Sequence, residues 1–286
     1  MRQTKTLGLG GWVGGGLLAA LALACLGAPV ICRALGLEPE AVDLLAASLT
    51  PSWDHPMGTD DLGRDLLARL LWGGRVSLFV GLIGALAAAG IGTALGMVAG
   101  YRGGRLDALL MRLTDGIIAL PMLPLLIVLA AVDPTKLGVP EAFARSPEMD
   151  VLRIVIIVAL LGWTTTARLV RATTLSLKER DFVRAAQALG ADEGTILRRH
   201  ILPNVLPVVS VAVTLAVGQV ILLESALSFL GLGIQPPMPS WGNMLTGALE
   251  TIWTAPWQAA WPGGLIFITV IAVTLLGDAL TERSKG

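Results

Sequence analysis

Charge is what this sequence has least of. Only 15% of its 286 residues are Asp, Glu, Lys or Arg, while 54% are hydrophobic, and the mean hydropathy is +0.74. A soluble domain carries about a quarter of its residues as charges, so the deficit excludes that class. Acidic and basic residues balance at 21 each, which removes the field that nucleic acid or a strongly acidic ligand would need. Histidine is scarce: His55 and His200 lie far apart in the sequence, too few for a His-rich metal site. The two cysteines, Cys25 and Cys32, fall in or beside the first apolar run and suit neither a disulfide framework nor a metal spacing. None of the four lysines, Lys5, Lys136, Lys178 and Lys285, follows a glycine, so there is no Gly-Lys-Ser/Thr phosphate loop. Gly-x-Ser-x-Gly and His-Glu-x-x-His are missing too. The chain has no visible means of hydrolysing ATP, and no catalytic residue, metal ligand or cofactor is assigned to it.

What it does have is long apolar runs, at 7–31, 76–99, 116–132, 154–172, 201–223 and 261–277. Each supplies the ~20 residues that ~30 Å of hydrocarbon demands, some with help from their flanks. The fourth reaches that length only if Arg168 snorkels. Backbone groups in lipid must bond within their own segment, so the runs are helices. The expected fold is all-α, a polytopic membrane bundle of six transmembrane helices. Arg2 and Lys5 ahead of the first run give it a signal-peptide layout, but its length and the spans that follow favour an uncleaved anchor. The division expected is an anchor with an outer amphipathic segment (1–72), a five-helix body (73–280) and a tail (281–286). With the N-terminus inside, 14 of the 21 Lys and Arg fall on the cytoplasmic side and 7 outside, which places both termini in the cytoplasm.

Three stretches outside the bilayer carry information: 33–72, the first outer segment; 173–200, the largest inner loop; and 231–260, the last outer loop. The last has no Lys or Arg but holds Trp241, Trp253 and Trp257, as an outer-face interfacial loop would. In the largest inner loop, Phe182, Ala185, Ala186 and Leu189 have helical spacing and form one apolar face. Gly190 stops that helix, Asp192 caps a second one carrying Ile196, Leu197, Arg198 and Arg199, and Pro203 and Pro207 open the next span. Two readings stand: a hairpin that docks on a partner, or a solvated amphipathic hairpin lying on membrane lipid. In the first outer segment, Thr59 is expected to cap a helix with Asp60 and Asp61 in its first turn. Asp60/Arg64 and Asp65/Arg69 are i,i+4 pairs, and Leu62, Leu66, Leu67 and Leu70 share a face. An amphipathic helix at the outer interface explains this segment without a ligand.

Glu224 lies near the outer end of the fifth span, ~27 Å along the helix from Leu206. An ionisable group at that depth faces the bundle or a cavity. It either lines the pathway and attracts the amino end of a peptide, or reaches the interface or an arginine of a partner subunit. Asp107, Arg112 and Asp115 suggest a brace within one helix at the start of the third span. Pro121 and Pro124 interrupt that span, as in a transport helix that must bend or in an ordinary kinked helix.

Together these residues resemble a known family. Arg184-Ala185-Ala186-x3-Gly190 with Leu202-Pro203 looks like the EAA loop of permease subunits of ABC importers. Arg184 stands where Glu is usual, and His200 where Ile is usual. Met57-Gly58-Thr59-Asp60-Asp61-Leu62-Gly63-Arg64-Asp65, followed by Gly74-Arg75-Val76-Ser77-Leu78, is similar to the signature ahead of the second span in dipeptide, oligopeptide and nickel permeases. Glu224 to Pro237, followed by Ser240-Trp241-Gly242, is similar to the segment after their fifth span. The likeness runs from about Ser52 to Leu280 and points to the second of the two permease types. It implies a type I ABC importer permease fold in the bacterial cytoplasmic membrane, carrying peptides or, alternatively, nickel or another small solute. It also implies a second, related permease, two ATPase subunits that bind ATP and Mg, and an extracytoplasmic solute-binding protein. Val183, Arg184, Ala185, Ala186, Leu189, Gly190, Ile196 and Leu197 would then form the coupling element gripped by the ATPase. An ion-coupled secondary transporter is the competitor from another class, and it would need more intramembrane ionisable residues than Glu224.

Overall fold

The computed structural model describes residues 8–246 and 248–284. Arg2, Lys5 and Lys285, used in the charge count, lie outside the described residues, as does the end of the expected tail. Helix dominates, and the one isolated β-bridge among the described residues joins Thr59 and Asp65.

The chain opens with α1 (Leu9–Leu26) and, after Gly27, the short α2 (Ala28–Leu35). It continues through α3 (Leu66–Arg102), α4 (Gly104–Ala119), α5 (Met122–Ala130) and α6 (Pro147–Lys178). Then come α7 (Asp181–Ala188), α8 (Leu202–Phe229) and α9 (Trp257–Ser284). A π-helical stretch, Ile196–Ile201, leads into α8. Among the described residues five helices are long and apolar enough to cross a membrane: α1, α3, α6, the helix 193–229 and α9. The pair α4–α5, bent by 90°, makes a sixth when taken as one crossing.

Glycine sets how closely these helices approach. A Cβ on Gly92, Gly96 or Gly100 of α3 would lie 2.5, 2.5 and 2.8 Å from the carbonyl oxygens of Trp163, Ala167 and Arg171 on α6. Lipid tails are as apolar as side chains, so helix association in a bilayer rests on such close packing. Gly14 does the same for α1, where a Cβ would sit 2.5 Å from the carbonyl of Ala272 on α9. The centre is apolar, with Val80, Ala85, Ile154, Val158, Val220 and Ile234 joining α3, α6, α8 and the segment after α8.

Two expectations change here. The first outer segment is not a helix from Thr59. Asp60 accepts the amides of Leu62 and Arg64, and Gly58 and Gly63 hold φ of 80° and 74°. A short carboxylate that bonds the backbone ahead of it offers a turn in place of a helix. The helix begins at Leu66, with Asp65 as the N-cap accepting from Ala68 N at 2.9 Å. Leu62 therefore lies off the helical face assigned to it. Arg64 Nε does reach Asp60 Oδ2 at 2.7 Å. The Asp65/Arg69 pair does not form: Asp65 Oδ2 meets His55 Nδ1 at 2.9 Å, and Arg69 turns to Asp60 at 3.4 Å.

The second change concerns α4. The expected brace inside one helix is replaced by pairs between helices, Asp107 with Arg171 and Asp115 with Arg168 of α6, while Arg112 is exposed. The bend falls at Leu120–Pro121, where Leu120 is extended (ψ 138°). Pro124 sits in the first turn of α5, where its missing N–H leaves no intrahelical bond unmade. Pro121 thus breaks the crossing and Pro124 does not.

Candidate functional site

The 181–201 hairpin is built as a rigid projection at one end of the bundle. α7 ends in a Schellman arrangement: Ala191 N donates to Ala186 O and Gly190 N to Gln187 O, both at 3.0 Å. Gly190 has φ 82°, a conformation that favours glycine. Asp192 then caps the second arm, accepting from Thr195 N at 3.1 Å and Thr195 Oγ1 at 2.6 Å. Those bonds hold its carboxyl below the usual carboxylate range. The π-helical stretch follows, and Asn204 Nδ2 donates to His200 O at 2.7 Å beside Pro203.

Two stripes of α7 have opposite fates. Val183 and Ala186 turn inward and pack with Val170, Ile196, Ile201 and Val205, with Leu197, Met97 and Tyr101 at the edge. Phe182, Ala185 and Leu189, at i, i+3 and i+7, turn outward, and Leu189 is 89% exposed. The single apolar face expected from Phe182, Ala185, Ala186 and Leu189 is therefore split. Ala186 belongs to the buried stripe because the second arm and α6 cover that side. Of the eight coupling candidates, Val183, Ala186, Ile196 and Leu197 hold the hairpin together, whereas Arg184, Ala185, Leu189 and Gly190 are on its surface.

Polar ties fasten the hairpin to α3. Gln187 Nε2 donates to Tyr101 Oη at 3.0 Å, and Arg102 Nε meets Glu193 Oε1 at 2.7 Å. A polar cleft of about 370 Å³ lies beside them, lined by Tyr101, Arg102, Lys178, Glu179, Arg184 and Gln187. Arg184 is matched locally by Glu179 Oε2 at 2.6 Å. Both are well exposed, so this pair adds little stability. The His200 ring tilts against Phe182 with centroids 6.3 Å apart, so each arm contributes one ring to the contact.

At the opposite end of the bundle Glu224 is fully buried. Its carboxylate accepts from Ser228 Oγ at 2.8 Å, Ser77 Oγ at 3.1 Å and, more distantly, Ser225 Oγ at 3.5 Å. Ser77 Oγ in turn accepts Trp241 N at 3.1 Å, and Ser228 Oγ accepts Ile234 N at 3.0 Å. Trp241 Nε1 donates to Leu70 O at 3.0 Å, and Gly74 leaves the room its ring fills. Asn243 Nδ2 bonds Ile234 O and Met238 O. The network fastens α3, α8 and the segment after α8 to one another. In this conformation Glu224 meets hydroxyls of its own chain. Pro121 marks the bend of the third crossing. Gly58, Thr59, Asp60, Gly63, Arg64 and Asp65 form the turn ahead of α3, where Thr59 Oγ1 donates to Ala46 O at 2.5 Å.

Sequence reasoning missed Ser77, Ser228, Trp241 and Asn243 as members of this network, because Ser77 and Glu224 are 147 positions apart and no local pattern links them. It also missed the Gly92-x3-Gly96-x3-Gly100 stripe, for which a signal was present: small residues at every fourth position in an apolar span.

Residues 92–285, which hold the hairpin, the bent crossing and Glu224 with Ser228, Trp241 and Asn243 of the buried network, match the family model described as "Binding-protein-dependent transport system inner membrane component". The chain belongs to this family. It is a multi-pass inner-membrane permease subunit of an ABC importer, and not an enzyme. It is 40% identical over 247 residues to a putative peptide permease protein of Brucella suis biovar 1, covering 86% of this chain and 77% of that one. The oligopeptide transport system permease protein OppC of Bacillus subtilis is 36% identical over 266 residues, 93% of this chain and 82% of that protein. The glutathione transport system permease protein GsiD of Pectobacterium atrosepticum is 40% identical over 232 residues, 81% and 72% of the two chains. Among the described residues of the permease, no group of three or more His, Cys, Asp or Glu is placed to hold a metal ion.

Proposed function

We propose that the permease carries peptides across the bacterial cytoplasmic membrane by alternating access, driven by ATPase subunits that grip the 181–201 hairpin. The observation that carries this reading is the outward stripe of Phe182, Ala185 and Leu189 on a helix that the Gly190 turn closes and whose other stripe is buried. Exposed apolar side chains on a rigid, protruding element suit insertion into a groove of a partner protein. The hairpin end faces the cytoplasm, together with both termini, because the larger share of Lys and Arg lies on that side. ATP and Mg belong to two partner ATPases. A second, related permease completes the pathway, and a solute-binding protein delivers the peptide at the Glu224 end.

Peptide as cargo is supported by the names of the Brucella and Bacillus relatives. The glutathione permease among the relatives favours a second reading, in which the cargo is one small modified peptide. Both use the same bundle.

The test is Leu189→Asp in the assembled transporter, scored by ATPase co-purification and by uptake of labelled di- and oligopeptides into vesicles. Loss of both with normal membrane insertion is the expected result. Normal ATPase binding and uptake would overturn the docking assignment, and uptake of glutathione alone would select the second reading.

A further inference from the structure

The helix α4 is a rod with a joint at each end. At its start Gly103 and Gly104 take φ of 66° and 60°, and at its end the chain turns through 90° at Leu120–Pro121. Between the joints only Thr114 is buried, and its hydroxyl is spent within the helix on Leu110 O. Leu109 and Leu113 are exposed. Apart from Ile117, which packs half-buried against the cluster of Leu126, Leu161 and Leu227, packing against the rest of the bundle is slight. Beyond the second joint α5 is held differently, with Leu126 and Ala130 buried against Ile157, Leu161 and Leu227 and Arg153 Nη1 bonded to Ala130 O at 3.0 Å.

What ties the rest of α4 to the bundle is charge. Arg171 of α6 meets Asp107 with two bonds, the one from Nη2 to Oδ2 at 2.6 Å, and Arg168 Nη2 meets Asp115 at 2.5 Å. The paired Asp107–Arg171 bonds fix orientation as well as distance, while the single, well-exposed Arg168–Asp115 bond is the weaker of the two. Arg171 is itself seated firmly, because its carbonyl lies against Gly100 of α3. It also stands ten residues before Asp181, where α7 begins, so α6 runs from these arginines straight into the hairpin.

We propose that Asp107–Arg171 and Asp115–Arg168 are the latch through which movement of the hairpin reaches the bent third crossing. When the hairpin is pulled, α6 carries the two arginines with it. α4 follows as a lever about Gly103–Gly104 and Leu120–Pro121, and the direction of α5 at the bend changes. The four residues are positioning residues: they transmit force and touch no substrate. This inference rests on the docking reading of the hairpin.

The experiment is a charge exchange in the complete transporter, reconstituted with its ATPases, second permease and binding protein. Asp107→Arg and Arg171→Asp are made singly and together, and peptide taken up per ATP hydrolysed is measured at equal assembly. Each single reversal is expected to lower that ratio about tenfold while ATPase activity stays within about twofold, as a broken partly buried pair entails. The double exchange, which restores opposite charges at the same contact, is expected to recover most of the loss. Where a reversal prevents assembly, the shape-conserving Asp107→Asn and Arg171→Gln replace it, with the same fall in ratio expected. An unchanged ratio in the single variants, or no recovery in the double, overturns the latch. A merely structural pair would lower assembly without changing uptake per ATP. Failure of the docking reading shows elsewhere, as ATPase binding that survives Leu189→Asp.

Discussion

One methyl group, placed on Gly96 or on Gly90 of α3, separates the demands of the helix seam from those of the helix itself. At Gly96 the new Cβ would stand 2.5 Å from Ala167 O, 2.9 Å from Val170 Cβ and 3.1 Å from Arg171 N. Two of these are backbone atoms and cannot rotate away. Ordinary contact begins near 3.4 Å, so α3 and α6 must part by about 0.9 Å, a gap that forfeits a quarter to a half of each dispersion contact. Overpacking of this kind costs ~1–3 kcal/mol, while replacing helical glycine by alanine returns ~0.5–1 kcal/mol. At Gly90 nothing lies within 4 Å, so only the gain applies. Gly90→Ala is thus expected to be neutral or stabilising, and Gly96→Ala destabilising, with the two about 2 kcal/mol apart, roughly a 30-fold difference in the folded ratio. Unfolding of the purified subunit in detergent by heat or by SDS titration reads the difference. Equal stability of the two variants would refute the claim that the seam is set by backbone approach.

Two further outcomes follow from the polar features. Glu224→Leu strands the hydroxyls of Ser77 and Ser228 in a buried site and is expected to cost ~1–3 kcal/mol for each, read by the same unfolding assay, with Glu224→Gln milder because its amide oxygen still accepts. Glu224→Gln also tests the transport role, since unchanged peptide uptake in a fully assembled complex would reject it. For Asp192 the folded-state carboxyl is held low, so its contribution to the hairpin is complete above the ordinary carboxylate range and is lost as pH falls through the lowered value. Amide protection factors in α7 and the turn after it, taken against the intrinsic exchange rate at each pH, should therefore fall on acidification in the parent and change less with pH in Asp192→Ala.

Much of this molecule is written in short-range pattern. Low charge and long apolar runs demand helices across a bilayer, because lipid offers the backbone no other partner. Gly190 and Asp192 mark the turn and cap of the hairpin through their own conformational and hydrogen-bonding preferences. Pro121 marks the bend because it has no N–H to give. These are properties of a residue and its immediate neighbours, and they survive without knowledge of the rest of the chain.

Tertiary structure alone decided which side of α7 is buried. Val183 and Ala186 are no more apolar than Phe182 and Leu189, but α6 and the second arm lie over the first pair. It decided that Asp107 and Asp115 answer to Arg171 and Arg168, since helices crossing at one point bring charges 64 and 53 positions apart closer than neighbours on the same rod. It decided too that Glu224 meets serines, one of them 147 positions away. Periodicity names the face of a helix; what covers that face depends on chain far off in sequence, and only the assembled bundle supplies it.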